Sequence, residues 1–150
     1  MMAQRPIPSI EAAPLQLVFV PNPTATQVPC GVFELSCAGQ PIGTLSFVAT
    51  TPRQARIGYD ILPDFRNLGY ASRAVGALLA AAPGFGFDLI RAECRSNNAP
   101  SRRILEKTGF VLHTATPFST NGTDRSVQFL VYHWLAPFAA SRPEYESCVP

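Results

Sequence analysis

Charge is scarce in this sequence: Asp, Glu, Lys and Arg make up 15 % of it and the net charge is only +2. So small an excess does not predict nucleic-acid binding, which draws its affinity from many cations set against a phosphate backbone. The arginines do cluster, at Arg91, Arg95, Arg102 and Arg103. A weak overall charge with a local basic patch suits a small polyanion better than DNA, and a solvated surface is the plain alternative. Metal-type spacing is missing as well. Cys30, Cys37, Cys94 and Cys148 form no C-x-x-C pair and have no His at ligand spacing. Neither a zinc site nor a disulfide frame is expected; the cysteines read as small core residues in a reducing compartment. The longest apolar run near the start, Leu15 to Val20, is far too short to span a bilayer. The first residues lack a basic n-region followed by an apolar h-region. A soluble cytoplasmic protein, without membrane or nucleic-acid partners, is the expectation. The sequon Asn121-Gly122-Thr123 is accordingly read as a turn. No internal repeat is evident.

What the sequence does have is an apolar share of 47 % over 150 residues, which suits one folded domain. At that length roughly 68–70 % of the unfolded chain's surface is buried, so a single core needs no staples. Residues 1–14 hold three prolines and little periodicity, and read as a flexible arm. Leu15 to Val20 reads as a strand closed by Pro21-Asn22-Pro23. Gly31 to Ser36 and Ile42 to Ala49 are β-rich runs on either side of Ala38-Gly39-Gln40-Pro41, the pattern of a hairpin. Gln54 to Leu62 is a further strand, ended by Pro63. Ala71 to Ala82 is helical by period and propensity and stops at Pro83-Gly84. Leu89 to Arg95 is a strand, and Pro100 to Thr108 a short helix closed by Gly109. Phe110 to Ala115 and Val127 to Leu135 are the last strands, joined through Asn121-Gly122. Residues 137–150 read as a frayed tail. The order β-β-β-β-α-β-α-β-β, a meander followed by a strand-helix-strand crossover, implies a mixed, mostly antiparallel sheet. The class is α+β, or α/β under looser definitions.

Two segments carry chemistry. Arg66-Asn67-Leu68-Gly69-Tyr70-Ala71 follows a strand and opens a helix. First-turn amides have no intrahelical acceptor and the dipole there is positive, so a pyrophosphate fits. Gly69 removes a side chain where a phosphate approaches, Ala71 leaves room, and Arg66 adds a cation at the rim. An ordinary loop with a glycine before a helix is the alternative. The second segment is Asn98-Ala99-Pro100-Ser101 with Ile104-Leu105-Glu106-Lys107-Thr108-Gly109-Phe110. Asn98, at a strand end, can hydrogen-bond the amides of an extended ligand. Ser101 stands at the helix start, where a capping or first-turn role is the plain reading.

Together these segments resemble the GNAT superfamily of acyl-CoA N-acyltransferases, and more narrowly its RimJ/RimL-like branch. The carrying features are strand-Arg66-x-x-Gly69-x-Ala71-helix, a second strand about twenty residues on, Asn98-x-x-Ser101, and Glu106-Lys107-x-Gly109-Phe110. Ile57-Gly58-Tyr59 before Asp64-Phe65, and Pro41-Ile42-Gly43-Thr44, add to the match. The likeness covers about Gly31 to Phe110 well and Val127 to Leu135 loosely. It implies a GNAT-like twisted sheet flanked by helices, with residues 15–136 as the acyltransferase domain. It implies acetyl-CoA as co-substrate, with no metal. The pyrophosphate would lie on the amides of Asn67, Leu68, Gly69, Tyr70, Ala71 and Ser72. The pantetheine would pair with backbone near Tyr59, Asp60 and Ile61 in a gap between two splayed strands, and be held by Asn98. A neutral amine would attack the thioester directly, with an amide N–H near Ile61 stabilising the oxyanion. Much of the superfamily protonates the leaving thiolate from a tyrosine whose place is taken here by Leu105; Ser101 stands where the RimJ/RimL-like branch has its candidate acid.

Departures from the pattern are instructive. Arg73 stands where the branch usually has Glu, and adds positive charge near the phosphates. Ala55 and Arg56 stand where some members carry a catalytic Glu. Asp60, Glu93 and Glu34 are alternative bases without a spacing argument, and a water relay serves equally. His113 and His133 lie on β-like segments and read as strand residues. The family usually sets two helices after its first strand, but Pro21 to Pro29 is too short and proline-rich for them. The acceptor site is then open, covered by a second chain, or covered by the arm; an open site favours a peptide N-terminus over a small amine. Exposed strand edges and the missing helices also admit a homodimer. Two readings follow: an acetyl-CoA-dependent N-acetyltransferase acting on a protein α-amine or small amine, or an acyl-CoA-binding module, catalytically weak or inactive, that serves as sensor or subunit.

Overall fold

The structure is a computed structural model, and it describes residues 7–24, 29–117 and 127–148. The strands are β1 (Ile10–Ala12), β2 (Leu15–Pro21), β3 (Cys30–Cys37), β4 (Gln40–Thr51), β5 (Gln54–Ile61), β6 (Leu89–Arg95), β7 (Val111–Pro117) and β8 (Gln128–Leu135). Two helices, α1 (Tyr70–Ala81) and α2 (Ala99–Lys107), interrupt them. One eight-stranded sheet results, in the order β1-β2-β3-β4-β5-β6-β8-β7. Every pairing is antiparallel except β5 with β6, which α1 joins by a crossover. The expected α+β class and mixed sheet are what the chain forms.

Local chemistry accounts for the elements. Ala38 (φ 51°) and Gly39 (φ 80°) both lie in the left-handed region, which makes the two-residue turn between β3 and β4 match the strand twist. β2 and β3 pair from Leu15↔Cys37 to Pro21↔Gly31, and the Asn22 N–H bonds the Cys30 carbonyl. Only residues 23–29 then remain between these strands, too few for the family's two helices. α1 buries Ala74, Val75, Leu78 and Leu79 and yields at Pro83 to a 3₁₀ turn, Ala82–Phe85. α2 ends in a Schellman closure: Gly109 N–H bonds the Glu106 carbonyl and Phe110 N–H the Leu105 carbonyl, with Gly109 at φ 99°.

Both helices pack on one face of the sheet. Leu17, Phe33, Leu45, Phe47, Ile57, Ile90 and Tyr132 supply that face and are buried against Val75, Leu78 and Leu105. Phe47 is met edge-on by Phe33 at 6.2 Å and Phe87 at 5.0 Å between ring centroids. Each such pair adds about 0.5–1.5 kcal/mol to its burial. Gly43 has a packing reason: a Cβ there would stand 2.3 Å from the Asp60 carbonyl oxygen, so β4 and β5 approach as they do because it has no side chain. The opposite face carries Arg56, Asp60, Arg91, Glu93 and His133, with Leu89 and Val131 buried among them.

Both ends of the domain differ from the sequence reading. Residues 1–14 were expected to be a flexible arm, but Ile10–Ala12 pairs with β2, Ile10 opposite Leu17, and packs on the core. A tripeptide strand is too short to show a period of two. Residues 137–150 were expected to fray, but Ala136, Ala139 and Tyr145 bury themselves against Leu89. Asp88, only 3 % exposed, holds this tail by accepting from Arg53 and, at 3.0 Å, from Arg142. The partners lie far apart in the chain, so no local pattern announces the contact. Residues 1–6, 25–28 and the Asn121-Gly122-Thr123 turn lie outside the described residues. Among the described residues no helix is long and apolar enough to cross a membrane, and Cys30, Cys37 and Cys94 are free thiols.

Removing the carboxylate takes the buried acceptor from Arg53 and Arg142, which are part-exposed and keep Glu144 nearby. Asp88→Ala is expected to lower stability by about 2 kcal/mol, read as a shift of the urea midpoint at constant m-value.

Candidate functional site

The parallel ladder between β5 and β6 stops early. It runs from Gln54↔Leu89 to Ile57↔Ala92 and no further. β5 continues beside β4 to Gly43↔Ile61, and β6 beside β8 to Arg95↔Phe129. The two strands therefore splay apart beyond Ile57. The Leu62 N–H bonds the Ile42 carbonyl, two residues the antiparallel register sets opposite each other. Alternation along β5 then directs the backbone groups of Asp60 to β4 and those of Tyr59 and Ile61 to the gap. Past Ile57 the amides of Tyr59 and Ile61 have no ladder partner on that side.

A cleft of about 760 Å³ runs from this gap to the start of α1. Its floor includes Tyr59, Ile61 and Ser101, and its far wall is the loop Arg66 to Ser72. Asn67 (φ 62°) and Gly69 (φ 81°) are both left-handed and turn the chain into α1. Gly69 is the N-cap residue, so no side chain caps the helix. The first helical bond is Arg73 N–H to the Gly69 carbonyl, so the amides of Tyr70, Ala71 and Ser72 have no acceptor within the helix. A Cβ on Gly69 would meet nothing within 4 Å; the glycine is required by its φ and leaves open space before the amides. Arg66 clamps the loop to β5, its Nε donating to the Ile61 carbonyl at 2.8 Å.

At the other wall Asn98 is the N-cap of α2, its Oδ1 accepting from the Ser101 N–H at 3.2 Å. The cap role considered for Ser101 thus belongs to Asn98. The Ser101 hydroxyl is free to face β5, where its Oγ lies 2.8 Å from the Tyr59 hydroxyl. Burial raises the Tyr59 phenol above its ordinary value, against a smaller opposing effect of the Ser101 hydrogen bond. Burial likewise raises the Cys94 thiol, which also meets Ser101. The stripe Pro100, Arg103, Ile104 and Lys107 completes the cleft and brings two cations to it. Sequence reasoning named Arg103 only within a loose arginine cluster and Lys107 only within a motif, and assigned neither to the cleft. Their i, i+3, i+4, i+7 spacing with Pro100 and Ile104 was the available signal.

Tyr59, Ile61, Arg66, Asn67, Gly69, Tyr70, Ala71, Ser72, Asn98 and Ser101 are brought together. Leu68, at 58 % exposure, points to solvent and does not line the cleft. The three candidate bases are separated. Asp60 lies at the cleft rim, mostly exposed, 3.4 Å from the Arg66 guanidinium. Glu93 lies on the open face, 2.5 Å from Arg91, and lines a second hollow of about 440 Å³ with Gly58, Tyr59, Cys94 and Ser101. Glu34 is two strands away from Asp60, across Thr44. Ala55 is buried and Arg56 exposed on the open face. Among the described residues no three His, Cys, Asp or Glu side chains gather as a metal site would require.

A split parallel pair beside an uncapped helix start, with a serine at the far wall, has the layout the sequence suggested. The family model for the acetyltransferase (GNAT) domain matches residues 13–111. The chain belongs to the GNAT acetyltransferase family. YoaA of Bacillus subtilis (strain 168), described as an uncharacterized N-acetyltransferase, is 32 % identical over 92 residues, covering 53 % of this chain and 52 % of that protein. This GNAT chain therefore spans about half the length of the curated relative it matches. Among solved structures, a GNAT-family acetyltransferase from Bacillus anthracis superposes with a TM-score of 0.62 at 25 % identity, over 69 % of this chain and 65 % of that one. RimL, a ribosomal L7/L12 alpha-N-protein acetyltransferase in complex with coenzyme A, gives 0.63 at 23 % identity, over 71 % and 62 %. The likeness to RimL shows the shared fold.

His113 and His133 stack at 4.1 Å on the open face of the sheet. Burial first, then His113 and Arg91, lowers His133 to about 4. The unfolded chain takes this proton near 6.5 and the folded chain only near 4, so protonation favours unfolding. Stability due to His133 is present above pH 6.5 and declines as pH falls to about 4. His133→Phe is expected to flatten that decline, seen by comparing urea midpoints at neutral and mildly acidic pH.

Proposed function

We propose that this domain transfers an acetyl group from acetyl-CoA to a primary amine by direct attack of the amine on the thioester. The observation that carries the reading is the gap beyond Ile57↔Ala92, which opens between an uncapped helix start and a serine hydroxyl. The amides of Tyr70, Ala71 and Ser72 suit a pyrophosphate, with Arg66, Arg103 and Lys107 as nearby cations. The gap-side backbone of Tyr59 suits an amide of a pantetheine arm, and Ile61 and Asn98 flank the same path. That RimL was solved with coenzyme A supports this use of the cleft.

The chemical step needs three things of the protein. The carbonyl oxygen gains charge as the amine adds, and the Ile61 N–H at the gap is the donor for it. The sulfur leaves as a thiolate and takes a proton from Ser101 Oγ. The amine loses a proton; Glu93 is our choice of base, through water, because it borders the hollow that also reaches Ser101. Asp60 is held by Arg66 outside that hollow. The acceptor enters from the open face of the sheet. The β2–β3 connection is too short to wall that side, which favours a peptide α-amine over a small enclosed amine. RimL's action on a ribosomal protein N-terminus supports the same class.

Two facts, the short connection that leaves the site open and the pairing of Glu93 with Arg91, favour the second reading, an acyl-CoA-binding module that turns over poorly or not at all. Thiol release from acetyl-CoA with a panel of peptides and polyamines separates the two: CoA binding with no turnover on any amine would establish the module. Ser101→Ala is expected to lower kcat about 100-fold with acetyl-CoA affinity unchanged; unaltered turnover removes Ser101 from the mechanism. Gly69→Val forces a branched residue into a left-handed site before the amides. It should weaken CoA binding at least about tenfold by calorimetry.

A further inference from the structure

A serine hydroxyl is a much weaker acid than a thiol. A serine that protonates a thiolate must therefore be resupplied as it gives up its proton. A phenol, at about 10, lies far closer to a thiol at about 8.5 and can do this. The Tyr59 hydroxyl stands 2.8 Å from Ser101 Oγ, a contact in which either oxygen can donate, and a longer 3.4 Å from the Ser101 carbonyl oxygen. The two residues come from β5 and from the first turn of α2, 42 positions apart. The Ser101 N–H is already bound to Asn98, so helix capping gives no reason for the hydroxyl contact. Both side chains border both hollows, the one leading to the helix start and the one opening on the far face.

We propose that Tyr59 is the proton source for the leaving thiolate, acting through Ser101 as a positioning residue. This rests on the acetyl-transfer reading above. As the C–S bond breaks, the sulfur takes the Ser101 Oγ proton, and Ser101 Oγ takes the Tyr59 proton. The phenolate is refilled from solvent, which receives the proton the amine loses. The sum is amine plus thioester giving amide plus thiol. A phenol is protonated at neutral pH, and burial pushes Tyr59 further in that direction. Its titratable neighbours are Cys94 from β6, which also meets Ser101, and, facing Cys94 from α2, Arg102 and Glu106. Cys94 is the rival source.

The test compares the wild-type chain with Tyr59→Phe, Ser101→Ala, their double variant and Cys94→Ala. Calorimetry with CoA comes first; no heat in the wild type would overturn the acyl-CoA reading and the relay with it. Thiolate absorbance then titrates the bound CoA thiol, which needs no turnover. A donor chain stabilises the thiolate, so the bound thiol should titrate higher in Tyr59→Phe and in Ser101→Ala than in the wild type. Equal titration in all three, with CoA bound, overturns the relay and leaves CoA binding intact. With an accepted amine, Tyr59→Phe should lower kcat about tenfold at unchanged KM for acetyl-CoA and lose the alkaline limb of the kcat–pH profile. The double variant should be no slower than Ser101→Ala. A loss in Cys94→Ala with Tyr59→Phe unaffected assigns the proton to the thiol and overturns the proposal. Ser101→Ala cuts the same chain from α2 and keeps the titration decisive if Tyr59→Phe does not fold.

Discussion

Strand pairing consumes backbone, and where it stops it leaves polar groups that need another partner. β5 and β6 each keep their outer neighbour to the end, β4 on one side and β8 on the other. Between them the ladder ends at Ile57 and Ala92. The right-handed twist of the sheet drives strands apart once their cross-bonds cease. Tyr59 and Ser101 stand where they diverge. The free edge this creates is one that an extended amide chain can complete, as an added strand would. Cleft, hollow and serine are all placed by that interruption.

The sheet has two unlike faces, and the division of labour follows from them. α1 and α2 share one face with the aromatic and aliphatic core, so the cleft between their first turns rests on that packing. The other face is polar along β5 and most of β6, with Arg91 and Glu93 paired on it, and β8 adds His133 among Phe129, Val131 and Leu135. A ligand lying along the gap meets the helix start on the first side and can expose its reactive end on the second. Separation of this kind lets one side hold and the other side choose.

Much of this was legible because the signals were local. The loop from Arg66 to Ala71 carries its meaning in a glycine at a helix start. The Asn98-x-x-Ser101 spacing puts a cap and a hydroxyl on one turn. Alternation and punctuation marked each long strand to within a few residues. What escaped was non-local. Asp88 holds the tail through Arg53 and Arg142, partners that only the fold brings near. The edge strand Ile10–Ala12 is too short to show a period. Tyr59 read as a backbone contributor; its hydroxyl contact with Ser101 depends on how closely α2 approaches β5. Glu93 and Asp60 had no spacing to tell them apart; the sheet sets Glu93 beside the second hollow and Asp60 beside Arg66.

The bend before α1 has a kinetic consequence. Asn67 and Gly69 are fixed in left-handed conformations, and Arg66 ties the bend to the Ile61 carbonyl. Its conformational freedom is therefore surrendered when the chain folds, not when a ligand arrives. On the proposed reading, a diphosphate would meet donors already aimed at it, with no rearrangement of this bend to wait for.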